Sequence, residues 1–143
     1  MNHNSYQGKN LAFVSDILLQ EELAFIFDKV YDRDKNKFNE LMDQFLHAIK
    51  SLDQNWKANS KPLTKPKLST YKYRTLKFFS SKSLQRIPYN TPDFRIIFKY
   101  NEQKNEIYLL SVGIRVDPYN NTYLPKEHDI YNRMNQVILP EDN

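Results

Sequence analysis

Apolar residues recur at helical spacing in two stretches near the start of the chain. In the first, at about residues 16–31, they are Leu19, Leu23, Ile26, Phe27 and Val30. In the second, at about residues 35–54, polar residues fill the positions between them, and the apolar ones are Phe38, Leu41, Met42, Phe45, Leu46, Ile49 and Leu52. The spacing predicts two helices, the second of which buries its apolar stripe in a core. The short linker DRDKN favours an antiparallel helix pair.

Three later stretches, at about 71–79, 93–100 and 106–114, are rich in β-branched and aromatic residues and predict strands. The linker NEQKN joins the last two as a hairpin. A loop over residues 55–70, marked by two prolines, precedes the first of them. Residues 11–15 are either a short first strand or the lead-in to the first helix, and residues 126–138 predict a short terminal helix.

The order of these elements predicts an α+β fold, in which an N-terminal helix pair packs on an antiparallel sheet. A length of 143 residues predicts a single domain over residues 1–143. No stretch approaches the roughly 18 apolar residues of a membrane span. With no visible signal peptide either, a cytoplasmic protein without membrane partners is expected.

Composition excludes several kinds of site. The chain has no cysteine, so disulfides and thiolate metal sites are ruled out. It has two glycines, Gly8 and Gly113, which excludes a glycine-rich phosphate loop. Its histidines, His3, His47 and His128, are far apart in sequence, and His47 is expected to be an ordinary surface residue. We therefore expect neither a metal nor a cofactor.

The whole chain has a net charge of +4, and its basic residues are concentrated in one part of the sequence. Residues 57–86 contain no acid, and their basic residues are Lys57, Lys61, Lys65, Lys67, Lys72, Arg74, Lys77, Lys82 and Arg86. Tyr71, Tyr73, Phe78 and Phe79 are interleaved with them, a pattern typical of nucleic-acid surfaces. A solvated basic loop is the alternative explanation.

Four motifs in the same order resemble the RelE/ParE superfamily of bacterial toxins. The stretch FRIIFKYNEQKNEIYLLSVGIRV at 94–116 resembles the central hairpin, which ends in VGxR. YKYR at 71–74 resembles the preceding basic strand, and HDIYNRM at 128–134 resembles the C-terminal helix. The helix pair before the meander also matches the family layout. The loop at 80–92 is longer than usual, and the segment 116–127 is an insertion before the final tyrosine.

The resemblance implies a metal-free ribonuclease that uses the RNA 2′-hydroxyl as its nucleophile. Such an enzyme needs a proton acceptor, cations on the phosphate and a donor for the leaving oxygen. The implied catalytic residues are Lys72, Arg74, Arg95, Arg115 and Tyr131. Lys72 would be the base or a phosphate clamp, with Arg74 on the same strand face. Arg95 would bind the scissile phosphate and Arg115 would stabilise the transition state. Tyr131 would stack a base or assist proton transfer.

Further basic residues are expected to bind RNA, namely Lys67, Lys77, Lys82 and Arg86. Lys77 and His128 are secondary candidates for the reaction itself. Each of the catalytic candidates also has a structural explanation, as a solvated cation, a surface ion pair or a core-edge tyrosine. A lysine base would need its pKa lowered, which crowding by other cations can do.

The resemblance leaves three functions open. The first is an endoribonuclease that cuts messenger RNA, with the ribosome as a further partner and a cognate antitoxin protein as its inhibitor. The second is a toxin that inhibits DNA gyrase and has no nuclease activity. The third is a non-catalytic RNA-binding regulator. The cations at 72, 74, 95 and 115, with a late tyrosine, favour the first.

Overall fold

A computed structural model of the chain describes residues 4–120, 122 and 124–137. Within these residues the chain forms a mixed sheet of six strands and four α-helices, so the predicted α+β class is confirmed. The strands are β1 (Asn4–Gln7), β2 (Ala12–Ser15), β3 (Lys61–Pro62), β4 (Arg74–Phe78), β5 (Phe94–Asn101) and β6 (Glu106–Ile114). The helices are α1 (Ile17–Phe25), α2 (Lys35–Asn55), α3 (Lys82–Gln85) and α4 (Ile130–Asn135).

The strands lie in the order β1-β2-β6-β5-β4-β3. β4, β5 and β6 form the antiparallel meander that the sequence predicted. Residues 12–15 form a strand, and β2 pairs parallel with β6. The sheet is therefore mixed, because the helix pair and the following loop return the chain to the end of the sheet where β2 began. The short edge strands β1 and β3 were not predicted.

Helix boundaries follow local capping chemistry. The Asp34 carboxylate accepts from the amides of Asn36 and Lys37 and so caps the start of α2. Asp16 caps α1 in the same way, and a π-helical turn at Ile26–Val30 extends that helix. The linker residues Asp32 and Arg33 have positive φ, which lets the chain reverse within a few residues. In the part of the chain that the structure describes, no helix is long and apolar enough to cross a membrane.

The two faces of the sheet carry separate apolar clusters. The face that packs on α2 holds the larger one, which includes Phe13, Ile26, Leu41, Phe45, Leu52, Leu76, Phe78, Phe94, Ile96, Phe98 and Val112. The opposite face packs on α4 and on the segment before β4, through Leu68, Tyr73, Ile97, Leu110, Ile130 and Met134. Side chains alternate across a strand, so neighbouring residues of β5 serve different clusters. The predicted 126–138 helix is shorter than expected, and residue 138 lies outside the described residues.

One residue of the α2 stripe was predicted wrongly. Leu46 is 55 % exposed, whereas Leu41 and Leu52 are fully buried. α2 presents a narrower stripe to the sheet than the sequence pattern indicates. Leu46 lies on the margin of that stripe, beside a surface depression that also involves Asp43 and His47.

A single carboxylate ties the β1–β2 turn to the end of α2. Asp53 is 9 % exposed and accepts from the backbone amides of Lys9, Asn10 and Leu11 at 2.8–3.0 Å. Gly8 lies so close that a Cβ there would be 2.4 Å from the Asp53 Oδ1. The buried Asp53 carboxylate and its three charge-assisted hydrogen bonds hold the start of the sheet against the end of α2.

We expect Leu41→Ala and Leu46→Ala to differ sharply in urea denaturation. Leu41→Ala removes a fully buried side chain and should lower the free energy of unfolding by about 2–5 kcal/mol. Leu46→Ala, on the same helix, should lower it by less than about 1 kcal/mol because the side chain is half exposed. Equal losses for the two variants would contradict the arrangement of α2 described above.

Candidate functional site

Strand register puts two basic side chains opposite each other on the α4 face of the sheet. Lys77 of β4 pairs directly with Arg95 of β5, and Thr75 pairs with Ile97. Their neighbours Leu76 and Phe78 face α2 instead. Because Cβ atoms of directly paired residues are about 5 Å apart, Lys77 and Arg95 act on the same region of the surface.

Arg95 is buried and forms no ion pair among the described residues, although the buried carboxylate of Asp93, two residues away, interacts with it electrostatically. It is 4 % exposed, and its Nη1 donates to the carbonyls of Pro92 and Phe94 at 2.6 and 2.9 Å. Its Nε has no hydrogen-bond partner, and no ion pair to Arg95 is seen among the described residues. Burial lowers the pKa of Arg95, the adjacent Tyr131 side chain and the Asp93 carboxylate raise it, and Arg115 lowers it. A buried cation in this state is costly, and such a cost is typical of functional sites.

Tyr131 and Arg115 reach the same place from α4 and from the end of β6. The Tyr131 hydroxyl lies 3.1 Å from the Thr75 Oγ1, and the Arg115 guanidinium lies 5.0 Å from the centre of the Tyr131 ring. Arg115 also forms an ion pair with Asp129. Asp129 in turn accepts from the Tyr131 amide and caps α4. One carboxylate therefore orients both the arginine and the tyrosine.

Gly113 is what allows α4 to lie this close to the sheet. A Cβ at Gly113 would be 2.6 Å from Cδ1 and 2.7 Å from Cβ of Ile130. Gly113 pairs with Arg95, so the strand position beside the buried guanidinium is also the one without a side chain. A second contact holds α4 from its other side, where Arg133 donates to both carboxylate oxygens of the buried Glu22 at 2.6 and 2.8 Å.

Lys77 has the electrostatic surroundings that a basic proton acceptor needs. Its pKa is lowered, first by partial burial and then by the nearby charges of Arg95 and Lys61. A lowered pKa increases the fraction of neutral amine at any given pH, and neutral amine is the form that accepts a proton. The side chain itself remains exposed, so a substrate can reach it.

The structure brings Arg95, Arg115 and Tyr131 together but separates them from two other candidates. The expectation that Lys72 and Arg74 share a strand face was wrong. Lys72 precedes β4 and adopts a left-handed conformation with φ of 63°. Arg74 lies on the α2 face, where its guanidinium donates to Ser60 and Lys57 and packs over the Trp56 ring.

The remaining basic candidates are spread over the surface. Lys67 donates to the Val137 carbonyl beside the end of α4. Lys82 and Arg86 lie at the two ends of α3, in a groove with α2. The ring of His128, the secondary candidate, packs edge-on against Phe25 at 5.8 Å between centroids. Of the residues expected to bind RNA, Lys77 is the one paired with Arg95.

From the sequence, Lys77 was only a secondary candidate for the reaction, and Thr75 and Asp129 were not identified as site residues. The register of β4 against β5 would have identified Lys77, but the long connection at 80–92 hid that register. Thr75 carried no signal, because a threonine in a strand is ordinary. Asp129 was detectable as an aspartate just before a predicted helix, a position typical of an N-cap.

We expect Gly113→Ala to displace α4 and to lower the free energy of unfolding by about 1–3 kcal/mol through overpacking. Ile130→Val in the same chain removes the contacting Cδ1 atom and should restore part of the loss. Chemical denaturation of the two single variants and the double variant measures this coupling. Strictly additive effects would show that Gly113 and Ile130 do not touch in solution.

We expect Arg95→Gln to raise the pKa of Lys77 part of the way towards its ordinary value. Removing a nearby positive charge makes protonation easier, while the larger contribution, partial burial, stays in place. A titration of the Lys77 side-chain carbon signals by NMR measures the change. Lys104→Gln, in the exposed β5–β6 turn, is the control and should leave the pKa of Lys77 unchanged.

The geometry therefore defines one cluster, the Lys77–Tyr131 cluster, made of Thr75, Lys77, Arg95, Arg115 and Tyr131 with Asp129 behind it. Its chemistry is that of an anion site with a proton acceptor and a hydroxyl. Comparison of the chain with protein-family models, with curated proteins and with solved structures finds no match to any of them.

Proposed function

We propose that the chain is an RNA-cleaving toxin of the RelE type, and that the Lys77–Tyr131 cluster is its active site. The observation that carries this proposal is Arg95, a buried guanidinium that forms no ion pair among the described residues and has the Asp93 carboxylate only as an electrostatic neighbour. It lies beside Tyr131 and opposite Lys77. A phosphate in this position would give the guanidinium a directly paired anion, and the planar guanidinium fork suits two of its oxygens.

The proposed reaction is an attack by the 2′-oxygen of a ribose on the adjacent phosphorus. Lys77 in its neutral form takes the 2′-hydroxyl proton as the new P–O bond forms. The P–O5′ bond then breaks, leaving a 2′,3′-cyclic phosphate and a 5′-hydroxyl. The leaving 5′-oxygen receives its proton from the Tyr131 hydroxyl, which Thr75 holds at 3.1 Å. Lys77 then releases its proton to water and Tyr131 regains one from water, which restores both side chains for the next turnover.

Arg95 and Arg115 have different parts in this scheme. Arg95 is fixed by backbone carbonyls and offers a preorganised charge. Arg115 is paired with Asp129. When phosphate enters, Arg115 either exchanges the Asp129 carboxylate for the phosphate or binds both. Negative charge grows on the phosphate oxygens during the reaction, and two guanidinium groups nearby favour that state over the ground state.

Two features support the RelE type beyond the cluster itself. The helix pair precedes the antiparallel meander, and the VGIR segment ends β6 next to the cluster. We propose messenger RNA, together with the ribosome, as substrate and partner, and a cognate antitoxin protein as the inhibitor. Inhibition of gyrase and non-catalytic RNA binding remain the alternatives, and neither needs a proton acceptor with a lowered pKa.

We expect Lys77→Ala to lower RNA cleavage by about 10²–10⁴-fold, because it removes the general base. Lys72→Ala is the matched control, since Lys72 is an exposed lysine five residues away that lies outside the cluster, and it should leave the rate nearly unchanged. Cleavage of labelled messenger RNA, with and without ribosomes, measures both.

The rate of the unaltered chain should rise with pH through the lowered pKa of Lys77 and then level off. Arg95→Gln should shift this rise to higher pH and reduce the plateau rate by about 10²–10³-fold. Cleavage that is absent under all conditions, with DNA supercoiling by gyrase inhibited, would replace this proposal by the gyrase alternative. Equal activity of Lys77→Ala and Lys72→Ala would exclude Lys77 as the base.

A further inference from the structure

Asp93 is a buried carboxylate that the proposed reaction does not use. It is 1 % exposed and directly precedes β5. Its Oδ1 accepts from the Ser80 amide at 2.9 Å, and its Oδ2 accepts from the Ser80 hydroxyl at 2.6 Å. Burial raises the pKa of Asp93, and the hydrogen bonds it accepts and the charge of Arg95 offset part of that rise. A carboxylate in such a place is costly to ionise, so its presence needs a physical reason.

Asp93 joins three strands of the sheet at the end where the Lys77–Tyr131 cluster lies. Its side chain holds Ser80, which follows β4, the strand that carries Lys77. Its backbone carbonyl accepts from the Arg115 amide at 2.7 Å and so holds the end of β6. Arg95 follows two residues later in β5. Asp93 therefore connects the segments that carry all three cations of the cluster.

The hydrogen bonds of Asp93 do not themselves require a charge. An asparagine would accept from the Ser80 amide through its oxygen and could donate to the Ser80 hydroxyl through its nitrogen. It would also avoid the cost of desolvating a carboxylate. An asparagine would not supply the negative charge near Arg95, which raises the pKa of that guanidinium. The charge is therefore the property that distinguishes Asp93 from a neutral residue of the same shape.

A negative charge at Asp93 opposes the binding of an anion at Arg95. Both Asp93 oxygens are engaged by Ser80, and no ion pair between Asp93 and Arg95 is seen in the described part of the chain. The carboxylate thus weakens the attraction for an anion without occupying the guanidinium. Because Asp93 is buried, salt screens this effect only weakly.

We infer that Asp93 is a positioning residue of the Lys77–Tyr131 cluster, and that its charge sets how tightly Arg95 holds an anion. Under the proposed function, on which this inference rests, the anion is the RNA phosphate. Binding that is equally tight before and during the reaction does not speed the chemical step, and it delays release of the product. Asp93 keeps the two guanidinium groups from holding the cyclic phosphate product too firmly.

The first test measures sulfate binding to the full chain. Sulfate is the probe because it remains a dianion across the pH range in which carboxylates titrate. The NMR signal of the Arg95 Nε–H group reports its binding, and Asp93→Asn should tighten that binding by about three- to tenfold. Asp43→Asn removes an exposed carboxylate of α2, so it changes the net charge equally and should have little effect. If Asp93 were only a structural contact, Asp93→Asn would weaken binding or leave it unchanged.

The second test uses the unaltered chain, so it holds even if Asp93→Asn does not fold. Coupling between two sites is reciprocal. Sulfate at Arg95 should therefore raise the pKa of Asp93, because a nearby negative charge favours the protonated carboxyl. The rise should equal the logarithm of the factor by which Asp93→Asn tightens sulfate binding. Carboxyl carbon signals followed by NMR, with and without saturating sulfate, measure it, and Asp43 is the internal reference.

RNA cleavage separates the charge of Asp93 from its hydrogen bonds. Asp93→Asn should lower KM by about the same factor as the sulfate dissociation constant and leave kcat nearly unchanged, because the phosphate is charged in both the ground state and the transition state. Ser80→Ala keeps the charge but removes one hydrogen bond at the end of β4. It should leave sulfate affinity unchanged and lower kcat by about threefold or more, because Lys77 is held less firmly.

Three results would overturn the inference. They are absence of sulfate binding at Arg95, sulfate affinity that is equal or weaker in Asp93→Asn, and a pKa of Asp93 that sulfate does not change. The proposed function fails separately. Sulfate results as expected, in a chain that cleaves no RNA, would leave the role of Asp93 standing and remove the nuclease. Cleavage of RNA by a chain whose sulfate affinity ignores Asp93 would do the reverse.

Discussion

The pairing of Arg95 with Gly113 across the β5–β6 hairpin is the constraint on which the rest of the site depends. A residue without a side chain in this position leaves space for Ile130 of α4, which a Cβ there would contact. α4 can then approach the sheet closely enough to bring Tyr131 to Thr75 and Arg95. The same register puts Phe94 and Ile96 into the opposite core, so position 95 cannot slip by one residue without burying an arginine among them.

Charge is distributed so that the α4 face carries an excess of cations. Arg133 is neutralised by Glu22, and Arg115 is paired with Asp129, whereas Arg95 donates to two backbone carbonyls and has Tyr131 and Asp93 as electrostatic neighbours. The desolvation cost of Arg95 is met by the apolar packing around it, which is a common arrangement where a site is preorganised for an anion. Lys77 is affected by the same field, since Arg95 contributes to the lowering of its pKa.

Two surfaces meet at one residue. The side chain of Lys77 belongs to the cluster on the α4 face, and its backbone belongs to the open edge of β4. Edge strands are normally protected by charge or by a covering loop, and β4 has a lysine at its open half and a basic groove beside it.

The sequence by itself determined the longer helices and the strands of the meander, because local periodicity and capping carry that information. The helical stripe from Phe38 to Leu52, the three strands of the meander and the late helix containing Tyr131 all follow from patterns within about 20 residues. Arg95 was a candidate because the resemblance to the RelE/ParE superfamily implied it. The exposure of Leu46 shows the limit of this reasoning, since the width of a buried stripe depends on what packs against it.

The tertiary structure alone decided which cations meet. Lys72 and Arg74 lie only five and three residues before Lys77 in sequence, yet a left-handed backbone at Lys72 and strand alternation at Arg74 remove both from the cluster. Lys77 belongs to the cluster because β4 pairs with β5 in one particular register. That register cannot be read from the sequence, because the connection between the two strands is long. Parallel pairing of β2 with β6 and the open edge of β4 were decided in the same way. Each depends on contacts between residues far apart in the chain. Local sequence patterns do not encode the energies of such contacts.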